Sequence, residues 1–235
     1  MKIAIMQPYL FPYFGYFQLI NSVDKFIIYD DVNFIKQGWI NRNNILVNDL
    51  PYLFTVPLSN QSSFDKINNI KIDQSLYDRW LKKFLKTIEQ TYSKAVFFEQ
   101  VYPIISNVFT LEQDNISSMG TKSLKLVCDY IGLSTKIEEN STIYKNEHLT
   151  AQSRVIDICL IEKANHYINP IGGIELYCKD AFLEHEIILS FIKTKSVKYK
   201  QFNNSNFWPN LSIIDMLMFN DKLTVKNLLN EYELI

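Results

Sequence analysis

The sequence of 235 residues lacks the features that mark several large functional classes. It has no excess of charge of one sign, since 24 Lys and Arg stand against 25 Asp and Glu, and this argues against nucleic acid as a partner. It has no apolar run near the roughly 20 residues of a membrane helix. Gln7, Pro8 and Pro12 interrupt the apolar start before a signal-peptide core could form. We therefore expect a cytoplasmic protein that binds neither nucleic acid nor a membrane.

Cysteine and histidine are also scarce, and their spacing excludes further kinds of chemistry. The three cysteines, Cys128, Cys159 and Cys178, lie far apart, so we expect reduced thiols in the core. No His-x-x-His, Cys-x-x-Cys or Asp-x-Asp pattern suggests a metal site. Gly-x-Ser-x-Gly, Walker and Gly-x-Gly-x-x-Gly motifs are missing, which excludes hydrolase triads and P-loop chemistry. We predict no bound metal or cofactor.

The first 30 residues predict a βαβ unit. The short apolar run 2–6 is typical of a strand buried on both faces, residues 15–23 have a helical pattern, and residues 26–29 form a second apolar run. Strand, helix and strand within so few residues imply a parallel sheet with a right-handed crossover.

The rim of this sheet is the expected ligand site. In open parallel sheets, ligands bind beyond the carboxyl ends of the strands. Gln7, Pro8 and Tyr9 follow the first predicted strand, and Asp30 and Asp31 follow the second. We therefore expect these two groups side by side on one rim.

The rest of the chain continues the α/β pattern. Helices are predicted at residues 75–91, 98–109, 121–131 and 152–164, and strands at 51–57, 135–137, 167–168 and 189–192. Thr224 is expected to cap a last helix that runs through Tyr232. The predicted fold class is α/β, with a Rossmann-like βαβ start, a mostly parallel sheet and a helix-rich C-terminal half.

Four stretches are rich in aromatic and amide side chains that a simple core does not require. They are residues 7–16, 29–43, 167–177 and 199–212, and we expect them to converge around a single cavity. The candidate binding residues within them are Gln7, Pro8, Tyr9, Tyr13, Gly15, Tyr16, Lys36, Trp39, Asn41, Arg42, Asn43, Asn169, Gly172, Gly173, Tyr177 and Gln201.

This mixture of side chains suits a sugar nucleotide. Aromatic rings such as Tyr9 or Trp39 stack on a base or on the C–H face of a sugar, while amides bond hydroxyls. Arg42 lies among amides with few other charges, which makes it the best candidate for a diphosphate. Gly172 and Gly173 would let backbone N–H groups approach an anion. Residues 1–140 are predicted to form the nucleotide-sugar-binding domain, and residues 141–235 a mixed α/β part that completes the site within one compact unit.

Each of these residues also has an ordinary structural interpretation. The aromatic residues of the opening stretch, and Trp39, can serve as core packing. The Asp30–Asp31 pair can cap a helix or lie in a solvated turn, and the Gly172–Gly173 pair can form a tight turn. The sequence alone leaves both interpretations open.

The loop after the first predicted strand partly matches another class of enzyme. Adenylyltransferase-type Rossmann domains carry His-x-Gly-His at this place, and here Tyr13 and Tyr16 stand where the two histidines would be. Since those histidines donate to phosphate, their absence argues against nucleotidyl transfer even where the fold is shared.

Four motifs in a fixed order carry a resemblance to a known family. They are MQPYLFPYFGYFQLINSVDKFIIYDDV, KQGWINRNNIL, YINPIGGIELY, and YKQF followed by PNLSIIDMLMFN. Along nearly its whole length the sequence resembles the WbqC-like family. The resemblance implies a cytoplasmic enzyme from bacterial gene clusters for O-antigen and related surface polysaccharides, acting in the synthesis of nucleotide-linked sugars.

We therefore expect a transferase that acylates the amine of a dTDP- or UDP-linked amino-deoxysugar. Asp30 or Asp31 is the candidate catalytic base, because the sugar ammonium must lose a proton. The sequence does not specify the acyl donor, such as an acyl-CoA, and it is compatible with a homo-oligomer. The alternatives are a non-catalytic protein that binds a sugar nucleotide or a neighbouring enzyme, and a nucleotidyltransferase.

Overall fold

The computed structural model describes residues 1–110, 115–202 and 206–235. Its strands are β1 (Lys2–Met6), β2 (Lys25–Ile28), β3 (Arg42–Val47), β4 (Leu50–Thr55), β5 (Lys136–Glu138), β6 (His166–Pro170), β7 (Ile188–Thr194) and β8 (Tyr232–Leu234). Its α-helices are α1 (Phe14–Asn21), α2 (Gln74–Tyr92), α3 (Phe98–Thr110), α4 (Ile116–Ile131), α5 (Ala151–Ile161), α6 (Lys179–Leu183), α7 (Ile213–Phe219) and α8 (Lys222–Leu228).

Six of these strands form one sheet in the order β5-β2-β1-β6-β7-β8. The first five are parallel to their neighbours, and β8 runs antiparallel to β7. The predicted βαβ start and the mostly parallel sheet are thus confirmed. Strands from both halves of the chain belong to this sheet.

Helices cover both faces of the sheet. Alternate residues of its strands point to opposite sides, so each strand contributes side chains to two cores. On one face, Ala4, Phe26 and Ile28 join a core with α1 and α4. On the other face, Ile3 and Ile5 join a smaller core with residues of α5 and α6. This burial on both faces explains why the parallel strands are continuous apolar runs.

The strand order reverses between β1 and β6, and the two strands separate there. Their ladder contains only Lys2–His166 and Ile3–Tyr167. By contrast, β1 stays paired with β2 as far as Met6. Such reversal points are where open α/β sheets bind ligands, at the carboxyl ends of the strands. The loop after β1 leaves from this point.

The hairpin β3–β4 lies outside the main sheet and builds part of the rim. Its ladder runs from Arg42–Thr55 to Val47–Leu50. The two-residue turn, Asn48 and Asp49, has positive φ angles of 49° and 65°, as the tight turn of a two-residue hairpin requires. The Ser212 backbone N–H, at the start of α7, donates to the Asn44 carbonyl at 2.8 Å, which fixes the hairpin to α7.

Two expectations from the sequence were wrong. The last helix is capped by Asp221, whose side chain accepts from the Thr224 N–H, and it ends at Leu228. Tyr232 belongs to β8, because the chain turns back to pair with β7. Cys178 is exposed, whereas Cys128 and Cys159 are buried as expected.

None of the helices within the described ranges has both the length and the apolar character needed to cross a lipid bilayer.

Candidate functional site

A large cavity lies at the amino end of α1. It has a volume of about 800 Å³ and is lined by residues 13–15, by residues 194–199 from the end of β7 onward and by residues 206–211. We call it the aromatic cavity because Tyr13, Tyr199, Phe207 and Trp208 contribute to its wall. The Tyr199 and Phe207 rings pack edge to face with centroids 5.1 Å apart.

A smaller cavity of about 300 Å³ adjoins the aromatic cavity. Both are lined by Tyr13 and Asn210, and the small cavity adds Tyr9, Pro12, Trp39 and Asn43. We call the two together the joined cavities. Trp39 is 44% exposed, so its ring is available to a ligand rather than packed in the core. No carboxylate or imidazole is found among the described residues that line the joined cavities.

Hydrogen bonds from distant segments fix the loop that forms the floor of the joined cavities. The Asn43 amide donates to the Leu10 and Phe11 carbonyls at 3.2 and 2.7 Å. The Ser212 hydroxyl donates to the Phe11 carbonyl at 2.8 Å. Phe11 has a positive φ of 41°, an unfavourable backbone conformation for an aromatic residue that these bonds hold in place. The loop is therefore a rigid shelf, with Phe11 in the core and the rings of Tyr9 and Tyr13 at the cavities.

Gln201 holds the far wall of the aromatic cavity. Its amide donates to the Trp208 carbonyl at 2.7 Å and accepts from the Trp208 N–H at 3.0 Å. Asp215 lies in the first turn of α7 with no exposed surface. Tyr92 donates to Asp215 Oδ1 at 3.2 Å. Burial raises the pKa of Asp215 to about 7. Burial also raises the pKa of Tyr199, and the nearby Asp215 charge raises it further.

Asp30 lies in a separate cavity of about 510 Å³, which we call the Asp30 cavity. The amino end of α4 lines it with Ser117 and Thr121. Asp30 accepts from the Ser141 N–H at 3.0 Å and from the Ser117 hydroxyl at 3.1 Å. Burial raises the pKa of Asp30, the neighbouring Asp31 raises it further, and the serine hydrogen bonds oppose both effects. Asp30 is thus a buried carboxyl group at the edge of a polar hollow.

Residues next to one packing contact line the Asp30 cavity and the small cavity. Gly120 of α4 packs against Pro8 so closely that a Cβ at Gly120 would lie 2.8 Å from the Pro8 carbonyl oxygen. The next residue in each segment lines a cavity. Thr121 lines the Asp30 cavity, and Tyr9 lines the small cavity.

Asp31 is part of a buried ion pair instead. Its carboxylate accepts from the Arg154 guanidinium and from the Ser141 hydroxyl. Arg154 also donates to Asn146 at 2.9 Å and lies 4.9 Å above the Tyr29 ring. Both charged side chains are at most 5% exposed, so Arg154 neutralises Asp31 away from solvent.

Arg42 is engaged by its own loop. Its guanidinium donates to the Gly38 carbonyl at 3.0 Å and also to the Gln37 carbonyl, and it lies over the Trp39 ring. Asn41 is buried and donates to the Val56 carbonyl at 2.9 Å. Both residues fix the segment that carries Trp39, whereas Lys36 is exposed beside it.

The residues after β6 lie apart from the joined cavities. Asn169 is buried and accepts from the Tyr167 hydroxyl at 3.1 Å. Gly173 lies against the Asn169 amide, where a Cβ would overlap Nδ2, and Gly172 is exposed with open space around it. Tyr177 packs edge to face on Tyr167, with ring centroids 5.7 Å apart. This stretch lines none of the cavities described above.

The structure therefore brings together only part of the candidate set. The candidates that line the joined cavities come from the first and second stretches: Tyr9, Tyr13, Gly15, Trp39 and Asn43. The fourth stretch lines the aromatic cavity with Tyr199 and with residues 206–211. Gln201 supports this wall from behind. The other candidates from the opening stretch, Gln7, Pro8 and Tyr16, support the loop, and the buried Tyr16 hydroxyl donates to the Gln7 carbonyl at 2.6 Å. Within the described residues, no group of three or more His, Cys, Asp or Glu side chains could hold a metal ion.

Two lysines that line the aromatic cavity, Lys195 and Lys198, were not among the candidate residues. The sequence did contain an indication, because residues 193–200 hold four lysines directly after a predicted strand. Arg154 was also missed, since nothing near it in sequence reveals its pairing with Asp31, 123 residues away.

Comparisons with known proteins agree with the motifs. A model of the WbqC-like protein family matches residues 7–227, a span that includes both joined cavities. "Uncharacterized protein Rv1507c" of Mycobacterium tuberculosis (strain ATCC 25618 / H37Rv) is 31% identical over 220 residues, which cover 92% of each chain. No solved structure matches the chain significantly.

Proposed function

Because the chain belongs to the WbqC-like protein family, as its four motifs predicted, we propose that it is an enzyme of bacterial surface-polysaccharide synthesis. Its substrate in this proposal is a nucleotide-linked sugar held in the joined cavities, and its product is a precursor of O-antigen or a related lipopolysaccharide component.

The observation that supports this substrate most is the make-up of the joined cavities. Tyr9, Tyr13 and Trp39 offer ring faces for a base or a sugar, and Asn210 offers an amide for hydroxyl groups. The volumes of about 800 and 300 Å³ lie in the range of ordinary small-molecule sites. The site also lies beyond the carboxyl ends of parallel strands, where α/β sheets bind nucleotides.

The proposed reaction is transfer of an acyl group from a thioester to the amine of the sugar. The sugar ammonium first gives a proton to a base, and the free amine then forms a bond to the thioester carbonyl carbon. When the tetrahedral intermediate collapses, the C–S bond breaks and the leaving thiolate takes the second proton from nitrogen. The products are an amide and a free thiol.

Asp30 is the better of the two candidate bases. Asp31 is neutralised by Arg154, whereas burial raises the pKa of Asp30 toward the range in which a carboxylate accepts a proton efficiently. The proposal requires the amino group to extend past the Pro8–Gly120 contact from the small cavity toward Asp30.

A second candidate is a protein that binds the sugar nucleotide without modifying it. The observation in its favour is the lining of the joined cavities, whose described residues include no carboxylate or imidazole. In that case Asp30 would be structural.

Binding and turnover together test these candidates. Calorimetry should detect binding of UDP or dTDP and of their amino-sugar conjugates, and absence of binding to the folded protein would reject both. Thiol release from an acyl-CoA should then depend on the amino sugar. Asp30→Asn should keep the ligand affinity and lose at least about tenfold in rate, while Glu139→Gln, at the same cavity, should change little. If wild type binds but releases no thiol with a range of acyl donors, the binding protein is the better account.

A further inference from the structure

The aromatic cavity carries charge of one sign. Lys195 and Lys198 are the charged side chains in its described lining. The chain as a whole has a formal net charge of −1, so this local excess of positive charge does not reflect a basic protein. A cavity with cationic groups and aromatic walls favours a ligand that is both anionic and aromatic.

Neither lysine is committed to a strong partner. Lys195 lies 3.5 Å from Glu231, but both side chains are about half exposed, and such surface pairs contribute little. Lys198 is exposed and forms no hydrogen bond or ion pair with a described residue. Both ammonium groups can therefore turn toward a ligand in the cavity.

Arg42, the diphosphate candidate from sequence, does not have this freedom. Its donors are directed to the Gln37 and Gly38 carbonyls, and it does not line either of the joined cavities. Turning it toward a ligand would leave those carbonyls without this donor.

We propose that Lys195 and Lys198 bind the diphosphate of the nucleotide-linked sugar. The base then lies on the rings of the aromatic cavity, and the sugar extends past Tyr13 and Asn210 into the small cavity, toward the Pro8–Gly120 contact. This inference rests on the proposed function, and it adds that the site selects nucleoside diphosphates over uncharged nucleosides.

The test is a set of calorimetric titrations with UDP, uridine and inorganic pyrophosphate. Lys195→Gln/Lys198→Gln should weaken UDP binding by about tenfold or more and leave uridine binding within about twofold. The matched control Lys193→Gln/Lys200→Gln removes the same charge from the same segment outside the cavity lining, and it should bind UDP as wild type does. Arg42→Gln should also bind UDP nearly as wild type does.

The outcomes separate this inference from the proposed function. If wild type binds UDP, and Lys195→Gln/Lys198→Gln binds it with the same affinity as Lys193→Gln/Lys200→Gln, the assignment of the diphosphate to Lys195 and Lys198 is wrong. The proposed function then still stands. If UDP affinity falls in Arg42→Gln but not in Lys195→Gln/Lys198→Gln, the assignment of the diphosphate is likewise wrong. If wild type binds pyrophosphate through Lys195 and Lys198 but no nucleotide or nucleotide sugar, the anion site stands and the proposed function fails. If wild type binds none of UDP, dTDP, their amino-sugar conjugates and pyrophosphate, both fail.

Discussion

Replacing Asp215 by Asn should remove a large part of the pH dependence of stability. Asp215 has no exposed surface, and its Oδ2 atom finds no hydrogen-bond partner among the described residues. Burial raises its pKa from 3.8 to about 7, because a carboxylate is costly to place in apolar surroundings. The folded protein therefore keeps this proton at pH values where the unfolded chain has lost it.

The size of the effect follows from the number of protons bound in each state. From about pH 5 to pH 7 the folded state holds the Asp215 proton and the unfolded state does not. The free energy of unfolding then falls as pH rises, by about 1.4 kcal/mol per pH unit. Between pH 5 and pH 8 the wild type should lose about 3 kcal/mol through this group alone, a loss that Asp215→Asn cannot show.

Urea unfolding followed by circular dichroism at pH 5 and pH 8 measures this difference. Other groups that titrate in this range are present in both proteins, so the comparison between wild type and variant isolates Asp215. Asp78→Asn, an exposed substitution on α2, is the matched control and should follow wild type. If Asp215→Asn loses as much stability as wild type between the two pH values, the reasoning about this buried acid is refuted.

Two further predictions concern the packing that positions the cavities. Arg154→Met should lower the free energy of unfolding by about 3–5 kcal/mol, because it leaves Asp31 charged and buried. Adding Asp31→Asn should restore part of that loss in urea unfolding, and a loss below about 1 kcal/mol for the single variant would contradict the role of the pair. Gly120→Val should cost about 1–3 kcal/mol, because its Cβ would lie 2.8 Å from the Pro8 carbonyl. A Cβ at Gly172 would meet open space, so Gly172→Ala should change the thermal unfolding temperature little. Equal losses of stability in Gly120→Val and Gly172→Ala would count against the close contact at Gly120.

The sequence predicted the fold where local pattern decides structure. The apolar runs that became β1 and β2, with α1 between them, required a parallel sheet, and the loop after β1 then had to lie at its rim. The predicted last helix is too long at its carboxyl end, because residues 232–234 form an edge strand only in the presence of β7. That pairing depends on the tertiary fold rather than on local propensity.

The candidate site was predictable in composition but not in its partners. Aromatic residues such as Tyr13 and Trp39 could be selected because they lie in stretches rich in amides and aromatics, but the sequence left core packing open for each of them. The partners of Arg42 and Asn43 could not be predicted, because backbone carbonyls accept from side chains without any pattern in sequence. A lone arginine among amides therefore looks the same whether it binds phosphate or its own loop.

The most direct test of the central claim is a crystal structure of the protein with a bound UDP-linked amino sugar. We predict the base on the rings of the aromatic cavity, the diphosphate at Lys195 and Lys198, and the sugar in the small cavity near Trp39. A nucleotide bound elsewhere, such as beside Gly172 after β6, with the joined cavities empty of it, would contradict the account.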